Sequence, residues 1–274
     1  MNKNKLTFWG VRGSNPTPDK DKMIYGGHTS CVSLHTDDNQ LCIFDMGTGL
    51  KNLGETLANN PEEPRTIHIV LSHYHWDHMI GLLSFAPLFI EGFDINFYGK
   101  KDAMNVKEII SYMMNPIFWP VSFDDFKANL NFYTIEGEKL KISDSINIKT
   151  KPHGHPNGAL SFRVEINDKV FTYITDCEHP DSHLNKQLIN LAENSDILIH
   201  DAHFTDADLI NHKGWGHSSW EQAVSMAKKT NSKELVLFHH NPLYNDQQLS
   251  DIESMAQQVF KKTISAKQGL VIYL

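Results

Sequence analysis

Four potential metal ligands lie within six consecutive positions of this sequence. The apolar segment at residues 66–71 is followed, after Ser72, by His73, His75, Asp77 and His78. Side chains two residues apart in an extended chain point to the same side, so His73 and His75 can share one metal ion. A bend toward a following helix then turns Asp77 and His78 to a neighbouring position. Imidazole and carboxylate ligands without a thiolate suit zinc, manganese or iron, and the segment therefore predicts a metal site at a strand end.

The composition indicates a folded chain and disfavours a nucleic-acid substrate. The chain has 274 residues, of which 40% are hydrophobic and 21% are charged, so we expect a single domain at residues 1–274. The net charge is −8, which disfavours an extended RNA or DNA substrate. No apolar stretch reaches the length of a membrane-spanning helix, and the first residues lack a secretory signal. We therefore expect a cytoplasmic protein.

The cysteines do not form a recognisable pattern. The sequence has three, Cys31, Cys42 and Cys177, at wide spacings and without a C-x-x-C motif. An odd number at such spacings disfavours a disulfide framework and a zinc ribbon. Because each lies in or beside an apolar run, we expect all three to be small buried residues.

Short apolar runs alternate with helical periodicity along the chain, which is typical of an α/β fold. Strands are predicted at residues 5–11, 31–35, 40–45, 66–71, 95–98, 145–150, 160–165, 169–175, 197–200, 234–238 and 270–273. Helices are predicted at residues 50–58, 79–85, 103–113, 186–192, 219–229 and 247–262. Ser218 and Glu221 have the spacing of a capping box, which predicts a helix start at Ser218. Polar residues follow several predicted strands, where an α/β scaffold usually places its site.

The segment from His73 to His78 resembles the signature of the metallo-β-lactamase superfamily. Other motifs of that family follow in the expected order over essentially the whole chain. The resemblance implies a four-layer αββα sandwich and a hydrolase that uses two divalent metal ions, with zinc expected first and manganese or iron as alternatives. By the resemblance, the metal ligands are His73, His75, Asp77, His78, His155, Asp176 and His239.

Two of these ligands have a neighbouring alternative. His155 precedes a proline and is similar to the third ligand of the first metal, but His153 competes with it. Asp176 is similar to the carboxylate that bridges both metals. His239 directly follows an apolar strand and is similar to the last ligand of the second metal, with His240 as the competing residue.

Other polar residues have supporting or unassigned roles. Asp45 is similar to the aspartate that orders the family's site at the end of an early strand, and its alternative is a turn residue beside Gly47. Five histidines match no motif and are expected in the core or at the surface: His35, His68, His179, His183 and His212.

Two later motifs favour phosphodiester chemistry. The segment His200-Asp201-Ala202 is similar to the His-Glu-Ala-Thr element of the tRNase Z branch, and Gly216-His217-Ser218 is similar to its His-Ser-Thr element. The resemblance implies that Asp201 orients His217 and that His217 protonates the leaving oxygen; the alternatives are a turn aspartate and a helix-start residue. With Asp77, these two are the predicted catalytic residues.

One departure argues against a tRNA substrate. The tRNase Z branch carries a long arm between the motifs of His155 and Asp176, whereas this chain has room there for only a tight hairpin. We therefore expect a small-molecule phosphodiesterase that acts on a cyclic nucleotide or cyclic phosphate through a metal-bridging hydroxide. The alternatives are a detoxifying hydrolase of an isothiocyanate, lactone or thioester, and a non-enzymatic di-iron sensor.

The predicted substrate contacts come from two further segments and one histidine. Residues 9–16 read W-G-V-R-G-S-N-P, as in compact relatives, and supply Arg12 and Ser14. His28 occupies a position where relatives usually carry Asn, which makes it either a substrate contact or a turn residue. His240 completes this set. A homodimer is possible, because the segment at residues 80–126 is rich in aromatic residues that could form a substrate wall, ordinary core or an interface.

Overall fold

The structure is a computed structural model that describes residues 4–180 and 183–274. The chain divides into two compact units. The first contains the described residues up to Gly10, with Ser30–Glu136 and Gly269–Leu274, and the second contains Val11–Thr29 and Gly137–Gln268. Each unit holds one seven-stranded sheet with helices, which confirms the predicted α/β class. The prediction of a single domain stays a prediction.

The strands follow the predicted positions closely. They are β1 Lys5–Gly10, β2 Cys31–His35, β3 Leu41–Phe44, β4 Thr66–Val70, β5 Asp94–Lys100, β6 Asn129–Ile135, β7 Lys139–Lys141, β8 Ile146–His153, β9 Ala159–Ile166, β10 Lys169–Ile174, β11 Ile197–Asp201, β12 Glu234–Phe238, β13 Thr263–Ser265 and β14 Val271–Tyr273. The helices are α1 Leu50–Asn59, α2 Trp76–Met79, α3 Val106–Met113, α4 Lys186–Ala192, α5 Asp206–Leu209, α6 Trp220–Lys229 and α7 Asp246–Val259.

Both sheets change from antiparallel to parallel pairing partway across. The first has the order β14-β1-β2-β3-β4-β5-β6, antiparallel as far as β3 and parallel from β3 to β6. The second has the order β13-β12-β11-β10-β9-β8-β7, antiparallel from β7 to β10 and parallel from β10 to β13. The carboxyl ends of neighbouring parallel strands lie at one edge, which is where such sheets usually hold ligands.

Each unit has its own apolar core. In the first, the buried faces of β3, β4 and β5 pack with α1 and α3. The aromatic segment at residues 80–126 contributes largely to this core, since Phe85, Phe93 and Met113 are buried, whereas Ile117 and Phe118 are exposed. In the second unit, β11 and β12 pack with α4, α6 and α7.

Two predicted helix starts are wrong. The helix expected at residues 79–85 is replaced by α2 followed by a 3-10 turn at Ile80–Ser84. The reason is that Met46 donates its N–H to the His78 carbonyl and accepts from Gly81 N–H, so these groups cannot continue an α-helix. The capping box is formed by Ser219 with Gln222, one residue beyond the predicted pair.

Three strands and one short helix lack a sequence prediction: β6, β7, β13 and α5. Strands β7 and β13 have three residues each, too few to show a period of two. Cys31, Cys42 and Cys177 are free and buried, which confirms the expectation for them. No helix in the part of the chain that the structure describes is long and apolar enough to span a bilayer.

Candidate metal centre

In the first unit, two histidines are held by their Nδ1 atoms. His73 Nδ1 lies 3.0 Å from Ser72 Oγ, and His78 Nδ1 lies 2.9 Å from Asp45 Oδ2. Asp45 also accepts hydrogen bonds from the N–H and hydroxyl of Ser72 at 2.7 and 2.9 Å. Metal-binding histidines are usually held in this way, because a hydrogen bond at one ring nitrogen directs the other to the ion. Asp45 therefore fixes the positions of Ser72 and of the His78 ring.

The four ligand-type residues of this segment lie close together, and the rings of His73 and His78 have centroids 4.3 Å apart. The rings of His73 and His75 lie with centroids 4.5 Å apart. Nε2 of His78 lies 3.3 Å from Oδ2 of Asp77. The extended backbone at His75 and the start of α2 at Trp76 produce the bend that the sequence predicts.

In the second unit, Asp176 lies between two histidines. Its Oδ1 is 3.7 Å from His155 Nε2, and its Oδ2 is 3.2 Å from His239 Nε2. His155 Nδ1 donates to the Gly216 carbonyl at 2.9 Å, which again directs Nε2 toward a ligand role. One carboxylate with an imidazole at each oxygen has the donor arrangement of a bridge between two cations.

The competing histidines have other contacts. His153 uses Nε2 for the carbonyls of Thr175 and Asp176 at 3.1 Å, and its Nδ1 bonds to Ser161 Oγ. His240 donates from Nε2 to the Ala266 carbonyl at 2.9 Å. Burial, followed by the charge of Arg12, lowers the pKa of His240 to about 3, so its ring is neutral.

Three of the residues described above have left-handed backbone conformations. The φ angles are +61° at Asp45, +52° at Asp176 and +59° at His239. Each residue directly follows the end of a strand or lies within two residues of it. Such conformations cost roughly 1–3 kcal/mol for a residue with a side chain and are concentrated at functional sites. The fold therefore holds these three side chains in position against local strain.

Asp201, the last residue of β11, accepts four hydrogen bonds. Its Oδ1 accepts from the N–H groups of His203 and Ser218, and its Oδ2 accepts from Asp176 N–H and His217 Nδ1, all at 3.0 Å. Burial opposes the charged form, but the charge and hydrogen bond of His217 outweigh it and lower the pKa of Asp201 to about 2. The carboxylate is therefore ionised and fixes the orientation of the His217 ring.

Two glycines allow backbone to approach the histidine rings. A Cβ at Gly216, where φ is +87°, would lie 2.1 Å from Nδ1 of His155. A Cβ at Gly13 would lie 2.4 Å from the ring of His239. Both separations are too short for a side chain, so these positions require glycine.

The predicted substrate residues are placed unevenly. The Arg12 side chain is fully buried, and its guanidinium donates to the carbonyls of Gly26, Asn241 and Tyr244 at 2.8–3.1 Å. Burial lowers the pKa of Arg12, which Asp246 partly opposes. These contacts argue against a substrate role for Arg12. The burial of His240 and its hydrogen bond to the Ala266 carbonyl argue against a substrate role for His240 as well.

The other two members of that set are more accessible. Ser14 is exposed and has a φ angle of +60°. His28 is half-buried, and its carbonyl accepts from Val11 and Arg12 N–H. Both stay as predictions.

His203 is a member of the centre that the sequence motifs did not indicate. Its ring stacks on His217 with centroids 4.2 Å apart, and its Nδ1 donates to the His239 carbonyl at 3.0 Å. Burial, then the charges of His217 and His239, lower the pKa of His203 to about 3. The sequence feature that could have indicated His203 is its position two residues after Asp201, where the similar element of the tRNase Z branch has Thr.

Comparison with known proteins places the chain in a family. The sequence model described as "Beta-lactamase superfamily domain" matches residues 42–240. Ribonuclease Z of Picrophilus torridus is 26% identical, with 97% of this chain and 94% of the relative covered.

Solved structures share the fold. The metallo-beta-lactamase fold protein YhfI from Bacillus subtilis has a TM-score of 0.73 at 20% identity, over 99% of each chain. A diphosphatase from the PhnP family has a TM-score of 0.72 at 17% identity, over 99% of this chain and 98% of that one. The predicted metallo-β-lactamase fold is thereby confirmed, and the chain belongs to the β-lactamase superfamily as a metal-dependent hydrolase.

Proposed function

We propose that this hydrolase cleaves small phosphodiesters, such as a cyclic nucleotide or cyclic phosphate, with two divalent metal ions. Zinc is the first choice for both ions. The proposal assigns the metal ligands to His73, His75, Asp77, His78, His155, Asp176 and His239. The support comes from each unit separately. In the first unit, the Nδ1 atoms of two histidines are hydrogen-bonded, which leaves Nε2 to bind a metal ion. In the second unit, each carboxylate oxygen of Asp176 faces one imidazole.

The donor set fits such ions. Imidazole nitrogen and carboxylate oxygen are ligands for zinc, manganese and iron. When bound, two such ions activate water for attack near neutral pH and stabilise charge on the substrate. The contribution of the chain itself is to position these ligands and to move a proton.

The observation that carries phosphodiester chemistry is the buried pair of Asp201 and His217. Because Nδ1 of His217 donates to Asp201 at 3.0 Å, Nε2 is the nitrogen that can hold a proton for a leaving oxygen. The ionised carboxylate also stabilises the imidazolium form of His217. Helix α6 begins two residues after Ser218, and its amino terminus favours a nearby anion.

The size of the segment between the proposed ligands favours a small substrate. Strands β9 and β10 pair as a hairpin, with Ile166 opposite Lys169. The alignment with the Picrophilus torridus relative extends over 308 positions, more than the 274 residues of this chain, so the relative has segments that this chain lacks. The net charge of −8 gives no general attraction to an RNA backbone.

A second candidate is cleavage of RNA. It is favoured by curated relatives named Ribonuclease Z, of which the Picrophilus torridus protein aligns with 97% of this chain. The Asp201–His217 pair would serve either substrate, since both are phosphodiesters.

A substrate panel with purified, zinc-reconstituted protein distinguishes these functions. The panel contains bis(p-nitrophenyl) phosphate, a 2′,3′-cyclic nucleotide, a precursor tRNA, an aryl isothiocyanate and a lactone. We expect turnover of the first two, lost in Asp176→Ala and retained in His35→Ala, a control histidine next to Glu63. Cleavage of precursor tRNA at a higher kcat/KM would establish the second candidate. Turnover of only the carbon electrophiles would refute phosphodiester chemistry. A visible di-iron absorption of the protein as isolated, before zinc reconstitution, together with no turnover of any substrate, would indicate a sensor.

A further inference from the structure

A second group of metal-binding side chains lies in the second unit, apart from the ligands assigned above. Cys177, His179 and His200 each offer one ligand atom within 4.8 Å of the other two. The first two follow Asp176 in the loop after β10, and His200 lies in β11 opposite Ile174 of β10. All three side chains are buried, with exposed fractions of 0%, 6% and 0%.

His200 is held as a metal ligand would be held. Its Nδ1 donates to the Asp201 carbonyl at 2.7 Å, so the lone pair of the neutral ring is on Nε2. Within the described part of the chain, this Nε2 is buried and has no hydrogen-bond partner. A buried acceptor without a partner costs about 1–3 kcal/mol, so a group that binds this atom would remove a penalty.

His179 and Cys177 face each other. Nδ1 of His179 lies 3.9 Å from Sγ of Cys177 and accepts a hydrogen bond of 3.3 Å from Asn185 N–H, which an ion bound at Nδ1 would replace. Zinc binds sulfur at roughly 2.3 Å and nitrogen at roughly 2.0 Å, so two such donors on one ion stand somewhat less than 4 Å apart.

We propose that Cys177, His179 and His200 bind a further zinc ion, additional to the two ions of the proposed hydrolytic site. One thiolate and two imidazoles select a thiophilic ion over magnesium or calcium, which prefer oxygen ligands. A cavity of about 660 Å³ is lined by His155, Glu178, His179 and Lys213 among others, so His179 connects the group to this cavity.

The ion would cross-link two segments that carry proposed site residues. Cys177 follows Asp176 directly, and His200 precedes Asp201 directly. A link between the loop after β10 and the end of β11 would therefore hold both carboxylates in place. This role is structural and does not depend on which substrate the hydrolase cleaves.

Cobalt substitution tests the proposal without an activity measurement. The metal-free protein, prepared with a chelator, is reloaded with Co²⁺ and its absorption spectrum is recorded. None of the proposed hydrolytic ligands contains sulfur, so a thiolate-to-cobalt charge-transfer band in the near-ultraviolet reports a cysteine ligand. We expect this band in the wild type, its loss in Cys177→Ser and Cys177→Ala, and its retention in Cys42→Ser. Zinc content should fall by one ion per chain in the Cys177 variants.

Two results would overturn the site. One is a cobalt-loaded wild type without the band, and the other is a band that persists in folded Cys177→Ser. X-ray absorption at the zinc edge of the wild type decides the matter without any variant, because a sulfur neighbour at about 2.3 Å must be present. Asp77→Asn, which weakens the proposed hydrolytic site, should keep the band, so failure of that site is distinguishable from failure of this one.

Discussion

Replacement of Asp201 by Asn should cost both stability and turnover. Each carboxylate oxygen of Asp201 accepts two hydrogen bonds at 3.0 Å from buried donors. In Asp201→Asn, an NH₂ group replaces one of the two carboxylate oxygens. The two donors that had bonded to that oxygen then face N–H groups and have no acceptor. A hydrogen bond to a charged group contributes about 1.5–3 kcal/mol, so Asp201→Asn should lower the free energy of unfolding by about 3–6 kcal/mol.

The same substitution should lower kcat, because the His217 ring loses the carboxylate that orients it. A positioned proton donor contributes about 10²–10⁴-fold, which sets the expected loss. Urea unfolding followed by circular dichroism gives the stability, and hydrolysis of a phosphodiester by the folded fraction gives kcat. The matched control is Asp196→Asn, which removes a carboxylate that accepts from Val170 N–H and Lys233 Nζ outside the centre. The reasoning is refuted if both variants lose the same small amount of stability and neither loses turnover.

The Asp201 carboxylate also predicts how stability depends on pH. Its pKa is lowered to about 2 in the folded chain, whereas an unperturbed aspartate titrates near 4. A lowered folded-state pKa stabilises the fold above the unfolded pKa, and this contribution is lost as the pH falls from about 4 to about 2. The stability advantage of the wild type over Asp201→Asn should therefore shrink by about 2 kcal/mol across that window.

Three other substitutions test the remaining geometry. Gly216→Ala places a methyl group 2.1 Å from Nδ1 of the proposed ligand His155 and should abolish tight metal binding. The control Gly158→Ala is also at positive φ but has nothing within 4 Å, so it should cost only about 1 kcal/mol of stability and keep metal binding. Calorimetric metal titration compares the two variants. Asp45→Asn should weaken metal binding about 10–100-fold, since His78 loses its carboxylate, and a chelator competition assay measures this. Arg12→Met should destabilise the fold by about 3 kcal/mol or more and leave KM of the folded enzyme unchanged, and a large rise in KM would instead support substrate contact.

The sequence predicted those parts of the fold in which period and composition are distinctive. The buried runs of β2 and β12 were located at their observed bounds, because continuous apolar residues between polar turns are unambiguous. Strand β6 was missed because its polar residues face neighbours in the sheet, as Asn131 does by donating to Asp94 and Asn96. Such pairings depend on the tertiary structure, and no local pattern indicates them.

The candidate site also has features that the sequence pattern indicates and features that depend on tertiary contacts. The spacing of the segment from His73 to His78 predicted a metal site, and family motifs indicated Asp201 and His217. The predicted start of α6 is wrong because Ser218 does not cap the helix. Its hydroxyl donates to the Cys177 carbonyl, and its N–H donates to Asp201. The burial of Arg12 could not be predicted, because a charged residue in a motif gives no indication of its own burial.

The most direct test of the central claim compares two leaving groups. A p-nitrophenyl phosphodiester expels a stable anion that needs no proton, whereas a methyl phosphodiester expels an alkoxide that does. If His217 is the proton donor, His217→Ala should reduce kcat/KM for the methyl ester about 10²–10⁴-fold and have a far smaller effect on the p-nitrophenyl ester. An equal reduction with both esters, or none with either, would contradict the proposed role of His217 and the phosphodiesterase that rests on it.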